Sequence, residues 1–159
     1  MKKILFICTG NTCRSPMAAA LFNRLAALEP PGFEFVGVSA GLAVSAAAPA
    51  SMNAVLTLKD YSGSELSAHV SRNVSCADAD EAFLVLTMEP WHRQELLSRC
   101  PGTYQKVFTL KEYVYGLPGG ISDPYGGSLQ EYRSCAQELA QAVDKLVKRL
   151  RNQVTNARK

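Results

Sequence analysis

The segment that most narrows what this chain can fold into is its opening run, KKILFI, where Lys2 to Ile7 reads as a buried strand. From Ile4 to Cys8 there is no polar alternation, the pattern of a strand covered on both faces. Polar turn residues follow, and a helix starts almost at once. Ser15 reads as its N-cap, Pro16 as its first helical residue, and Met17, Leu21, Leu25 and Leu28 as its apolar stripe, closed by Pro30-Pro31-Gly32. The same alternation continues along the chain. Phe33 to Ser39 reads as a second strand, and a helix opening at Pro49 presents Met52, Val55, Leu56 and Lys59 on one face. Ala82 to Thr87 is a third strand, a helix begins near Pro90, and Lys106 to Leu110 is a short fourth strand. From Ser128, the residues Leu129, Tyr132, Ala136, Leu139, Val143, Leu146 and Leu150 recur at helical spacing. Strands alternating with helices predict a three-layer α/β fold around a parallel sheet. Residues 1–159 read as one domain, with the tail after about residue 151 expected to fray.

With 47% hydrophobic and 19% charged residues, the composition is that of an ordinary globular enzyme. A net charge of +3 is too small to argue for nucleic acid, yet it suits anionic substrates. The apolar run at the start is too short for a secretory signal, and no run approaches membrane-spanning length, so the expected location is cytoplasmic. The five cysteines, Cys8, Cys13, Cys76, Cys100 and Cys135, have no clustered C-x-x-C spacing. They are expected as free thiols, with Cys76, Cys100 and Cys135 as small buried packing residues. His69 and His92 are the only histidines, and neither stands at ligand spacing, so no metal site is expected. The basic end (Lys145, Lys148, Arg149, Arg151, Arg158, Lys159) reads as a solvated helix terminus.

The chemistry concentrates between the first strand and the first helix, in CTGNTCRS from Cys8 to Ser15. A strand-to-helix turn gathers unpaired backbone N–H groups at the positive end of a helix dipole, which makes an anion cradle. Gly10 permits the turn, and Arg14 adds a planar fork matched to phosphate oxygens. No G-x-x-x-x-G-K-[ST] occurs and the loop holds no lysine, which excludes a nucleotide P-loop. The loop instead holds a thiol. A cysteine facing a helix N-terminus and an arginine is expected to have a lowered pKa and to be largely thiolate, poised for in-line attack on phosphorus.

The run CTGNTCRSPMA resembles the low-molecular-weight protein tyrosine phosphatase family, most closely its protein arginine phosphatase branch. The resemblance extends through SAG at Ser39 to Gly41, HVSR from His69 and DPYGG from Asp123 to the terminal helix. It implies a four-stranded parallel sheet flanked by helices, and no metal or organic cofactor. It implies Cys8 as nucleophile through a cysteinyl-phosphate, and Arg14 binding the phosphoryl oxygens. Ser15 would hydrogen-bond the thiolate. Asp123 would act first as acid and then as base; taken alone, an aspartate before proline is equally a turn former. Thr9, Gly10, Asn11, Thr12, Cys13, Ser15 and Tyr125 would surround the substrate, with Ser39 and His69 supporting the loop. By the same resemblance Cys13 either forms a reversible disulfide with Cys8 or packs as a buried thiol.

Thr12 stands where tyrosine-selective relatives carry an aliphatic residue, and Gly126 where they often carry a second aromatic. Both favour phosphoarginine in proteins over phosphotyrosine, the main alternative. Arsenate reduction would need a downstream relay of paired cysteines, for which Cys76 stands alone in the sequence. A catalytically dead phosphate reader is disfavoured because every reactive position is intact. The expected partners are phosphorylated proteins, not nucleic acid or membrane, and the chain is read as a monomer.

Overall fold

The computed structural model describes residues 1–157. Its strands β1 (Lys2–Cys8), β2 (Phe35–Gly41), β3 (Leu84–Thr87) and β4 (Val107–Thr109) form one parallel sheet in the order β2-β1-β3-β4. The helices are α1 (Arg14–Ala26), α2 (Met52–Leu58), α3 (Cys76–Glu81), α4 (Pro90–Arg99), α5 (Leu110–Tyr115) and α6 (Leu129–Ala157), with a 3₁₀ segment at Pro101–Lys106. Side chains of β1 alternate between two cores. Ile4, Phe6 and Cys8 join Met17 and Phe22 of α1 and Leu139 and Val143 of α6. Leu5 and Ile7 join Ala79 of α3 with Leu96 and Cys100 at α4. Burial on both sides is why the opening segment is apolar throughout.

From β1 the chain runs outward to β2 on one side, while β3 and β4 lie on the other. An open α/β sheet has a crevice where the direction of winding reverses, at the carboxyl ends of the strands. Cys8 is the last residue of β1, so the topology delivers it to that crevice. The residue paired with it is Gly41, and here glycine is required by space. A Cβ on Gly41 would stand 2.6 Å from the Thr9 carbonyl oxygen and 3.0 Å from the Asn11 nitrogen.

Several local expectations are corrected. Helix α1 begins at Arg14 with Cys13 as N-cap, not at Pro16 after a Ser15 cap. The hydroxyl of Ser15 is engaged elsewhere, as described below, and no side chain caps the first turn. Leu28 lies beyond the helix and is exposed, whereas Ala18 and Phe22 complete the buried stripe. Helix α2 starts at Met52, capped by Ser51, whose Oγ accepts the Ala54 N–H at 3.3 Å. Its buried face is Ala54, Thr57 and Leu58, while Met52 and Leu56 face outward. Both α3 and α5 were unforeseen: each is only six residues long, too short for periodicity to declare. Helix α6 does not fray at residue 151 but continues to Ala157. Beyond Leu139 it is held by Arg149, whose guanidinium lies 4.3 Å from the Tyr113 ring centre, and by Arg151, 3.3 Å from Glu29. Arg158 and Lys159 lie outside the described residues.

The cysteines are not all free. Cys76, the first residue of α3, is disulfide-bonded to Cys100, the C-cap of α4, with Cα atoms 5.5 Å apart. Spacing along the chain hid this pair; folding β3 and α4 back against α3 creates it. Cys76 is exposed rather than a buried packing residue. Cys8, Cys13 and Cys135 are buried free thiols.

Gly41→Ala is expected to lower unfolding free energy by about 1–3 kcal/mol, because the backbone of the turn must move to admit one methyl group. The measurement is the urea midpoint against the parent chain; an unchanged midpoint would mean that the turn yields freely.

Candidate active site

The turn after β1 is shaped by Asn11. Its φ of 54° places a non-glycine residue in the left-handed region, and it is wholly buried. Four hydrogen bonds hold it there. The side-chain nitrogen donates to Ser15 Oγ and to Ser39 Oγ, both at 2.9 Å. The side-chain oxygen accepts the Arg72 N–H at 3.0 Å, and the Asn11 carbonyl accepts from His69 Nε2 at 2.7 Å. Ser39 and His69 thus support the loop from β2 and from the segment before α3. Asn11 and Ser15 do not line the cavity, although both were expected around the substrate. Their place is behind it.

Ser15 has one hydroxyl hydrogen, and its oxygen already accepts the Asn11 amide. The hydrogen is therefore free for Cys8 Sγ at 3.0 Å, with the Ala40 carbonyl at 3.4 Å the poorer acceptor. This matches the role of a donor to a thiolate. The expected lowering of Cys8 is not met, however. Burial pushes its thiol above the ordinary value of 9.0, and Ser15, Arg14 and Asn11 offset that only in part. Arg14 is itself held by carboxylates. Its buried guanidinium donates from Nη1 to Glu89 Oε2 at 2.7 Å and to the Ile121 carbonyl at 2.8 Å. Its Nη2 stands 3.2 Å from Asp123 Oδ2. One cation thus faces two carboxylates.

Glu89 and His92, at the start of α4, are site residues that the sequence reading missed. Burial alone would raise Glu89, but the hydrogen bond and charge of Arg14, together with the Trp91 N–H, hold its carboxyl below 4.5. His92 Nδ1 accepts the Glu89 N–H at 3.1 Å, so Nε2 carries the hydrogen and donates to Thr9 Oγ1 at 2.9 Å. Burial, and then the Arg14 charge, lower His92 from 6.5 to about 4. It is a neutral strut. The available signal was Glu89-Pro90, an acidic residue before a helix-opening proline, with His92 one turn on.

Asp123 lies in the loop before α6, brought to the crevice by contact with Arg14. Its Oδ1 accepts the Tyr125 N–H at 3.1 Å, so it is both the turn former and a site carboxylate. Cys13 does not reach Cys8 through any hydrogen bond. Its Sγ instead meets the Tyr132 hydroxyl at 3.1 Å and Ser51 Oγ at 3.5 Å. Burial and then the Cys13 contact raise Tyr132 to about 12, so this hydroxyl keeps its proton at neutral pH.

These groups open onto a cavity of about 320 Å³. Cys8, Thr9, Gly10, Thr12, Cys13 and Arg14 line its floor, Ala43 to Ala46 one wall, and Asp123 and Tyr125 the rim. Tyr125 is the one aromatic side chain among the lining residues. Gly126 is not among them, and its φ of 75° marks it as a turn residue. A buried thiol at the floor of a helix-terminus anion cradle, with a buried arginine and a carboxylate at the rim, is an arrangement able to act on a phosphoryl-like group.

The comparisons with known proteins agree. A family model described as low molecular weight phosphotyrosine protein phosphatase matches residues 3–156, and the chain belongs to that family. It is 41% identical to a protein-arginine-phosphatase of Geobacillus stearothermophilus over 95% of this chain and 97% of the relative. A low molecular weight protein tyrosine phosphatase from T. tengcongensis superposes with a TM-score of 0.87, at 40% identity over 94% of this chain and 99% of that one. A mutant of YwlE arginine phosphatase with a phosphorylated active-site serine in place of cysteine superposes with a TM-score of 0.86. It is 39% identical over 94% of this chain and 95% of that one.

Acid should expose the His92 strut. The folded state holds it at about 4 and the unfolded chain at 6.5, so as pH falls the unfolded chain takes the proton first. The associated stability is complete above pH 6.5 and is lost between 6.5 and 4, to an extent of about 3 kcal/mol. Urea midpoints across that window should fall for the parent chain and fall less for His92→Asn; parallel curves would sink this reading.

Proposed function

We propose that this chain is a protein arginine phosphatase that works through a cysteinyl-phosphate at Cys8. The observation that carries the choice of substrate is the make-up of the cavity around Cys8. Thr12 adds a hydroxyl to the lining, its Oγ1 3.6 Å from Cys13 Sγ, the wall from Ala43 to Ala46 is small, and Tyr125 alone offers a ring. A phenyl group wants an apolar wall, whereas a phosphorylated guanidinium is a polar plane with N–H donors to satisfy. Asp123 at the rim accepts such donors, and Tyr125 can stack on the plane. The similarity to a relative named protein-arginine-phosphatase supports the same choice.

The steps follow from the residues. Loop N–H groups and Arg14 bind the phosphoryl oxygens, the Cys8 thiol passes its proton to an oxygen of the dianionic phosphoryl group, and the resulting thiolate attacks phosphorus as the P–N bond breaks. Asp123 gives its proton to the leaving guanidine nitrogen. It then takes a proton from the water that attacks the phosphocysteine, and Ser15 donates to the departing thiolate. The mutant relative whose active-site serine is phosphorylated supports placing the phosphoryl group at this position. We place the enzyme in the cytoplasm as a single phosphatase domain.

Phosphoarginine and phosphotyrosine peptides compared side by side, with Cys8→Ser as blank, should show phosphoarginine hydrolysed with the higher kcat/KM. Thr12→Ile should shift the ratio toward phosphotyrosine by about tenfold. An unchanged ratio would remove Thr12 from the argument, and a phosphotyrosine preference in the parent chain would move it to the alternative. Asp123→Ala should let phosphorylated Cys8 accumulate, seen as the mass of one phosphoryl group on its peptide after acid quench. Its absence, with turnover lost, would confine Asp123 to the first step.

A further inference from the structure

The Cys76–Cys100 disulfide joins the two segments that hold the phosphate-binding turn from behind. One segment ends at Cys76. Within it, His69 and the Arg72 N–H bond Asn11, and Arg72 O accepts from Gly41 N at 2.9 Å. Asn73 there bonds both the N–H and the carbonyl of Val44 in the cavity wall, each at 2.7 Å. The other segment is α4, which ends at Cys100. Its first turn bonds Thr9 through His92 and Arg14 through Glu89, and its last turn sends Arg99 Nη1 to the Leu42 carbonyl at 2.8 Å. Leu42 N in turn donates to the Cys8 carbonyl at 3.0 Å, and Ala43 N to the Thr9 carbonyl at 3.0 Å. The bond therefore closes a frame around Cys8 to Arg14 without touching the cavity.

We infer that Cys76–Cys100 is a thiol-exchange site, reduced by a dithiol, whose state sets how tightly that frame grips the phosphate-binding turn. Cys76 is exposed and Cys100 is buried, so attack falls on Cys76. A thiolate of the reductant bonds to Cys76 Sγ, the bond to Cys100 breaks, and Cys100 leaves as a thiolate that takes a proton. The second thiol of the reductant then attacks its partner sulfur in the mixed disulfide and releases Cys76 as a thiol. The dithiol loses two electrons and two protons, which end on the two cysteines. With the frame open, the donors around the phosphoryl site are less well placed. Cys100 belongs to the core on the far side of the sheet from the Cys8 core, so the pair acts through the frame and not as an electron relay to Cys8.

This inference rests on the phosphatase reading for its activity readout, and phosphate affinity supplies a second readout that needs no turnover. The full chain is equilibrated in dithiothreitol buffers of graded reduced-to-oxidised ratio, and free thiols are alkylated and assigned by peptide mass. Turnover of p-nitrophenyl phosphate and calorimetric binding of inorganic phosphate are measured in parallel. Cys76 and Cys100 should become alkylated together at ratios where Cys8 and Cys13 are already labelled. Across that step kcat/KM should fall about fivefold and phosphate should bind more weakly. Cys76→Ala should sit at the reduced value at every ratio, and reduction of the parent chain gives the same comparison should that variant fold poorly. Identical turnover and phosphate affinity on both sides of the step would overturn the inference, as would alkylation of both cysteines at every ratio. Turnover absent in both states with phosphate affinity still redox-dependent would sink the phosphatase reading alone.

Discussion

The buried amide of Asn11 is the interaction on which the rest of the site depends. A left-handed conformation costs a non-glycine residue about 1–2 kcal/mol, and asparagine tolerates it better than most. Here four hydrogen bonds hold it, one to nearby Ser15 and three from two distant parts of the chain. What that arrangement yields is direction. With the turn fixed, backbone N–H groups converge above Cys8, and Ser15 is left with one hydrogen and one good acceptor, the sulfur. Gly41 belongs to the same arrangement, since any side chain there would push against Thr9 and Asn11.

The second support is α4. A buried guanidinium needs hydrogen-bonded partners of opposite charge, and Glu89 with the Ile121 carbonyl supplies them. His92, neutral and wholly buried, ties the same helix to Thr9. The phosphate-binding turn is therefore gripped from both sides of the sheet's switch point. That explains how a short stretch of irregular backbone keeps its shape beside an open cavity.

How far this was legible in the sequence follows from the range of each signal. The strand, turn and helix around Cys8 are contiguous, and their pattern survives in one stretch of text; Arg14 and the parallel sheet followed from it, whereas the strand order did not. Asp123 was readable only through a family resemblance, because its contact with Arg14 exists only in the fold. Glu89, His92 and Tyr132 carried weak local signals. Each occupies a position that a helix would present to solvent or core with equal ease, until its partner arrives from another element. The Cys76–Cys100 pair was hidden for the same reason, as two isolated cysteines become neighbours only when α3 and α4 pack on one face. Boundaries failed where packing overrode pattern: Ser15 turned from capping to the Cys8 sulfur, and α6 ran on past residue 151 to Ala157.

The charge balance ties these parts to the proposed reaction. Arg14 is shared between Glu89 and Asp123, and burial raises the Cys8 thiol. An arriving phosphoryl group competes with Asp123 for Arg14 Nη2, whereas Glu89, on Nη1 and away from the cavity, keeps its hold. Asp123 then faces the leaving group. A phenolic leaving group offers that carboxylate one oxygen and no positive charge. A guanidinium offers several N–H donors and, once it takes the proton, a cation beside the Asp123 carboxylate. The carboxylate that draws on Arg14 at rest is the one that favours a basic, cationic product.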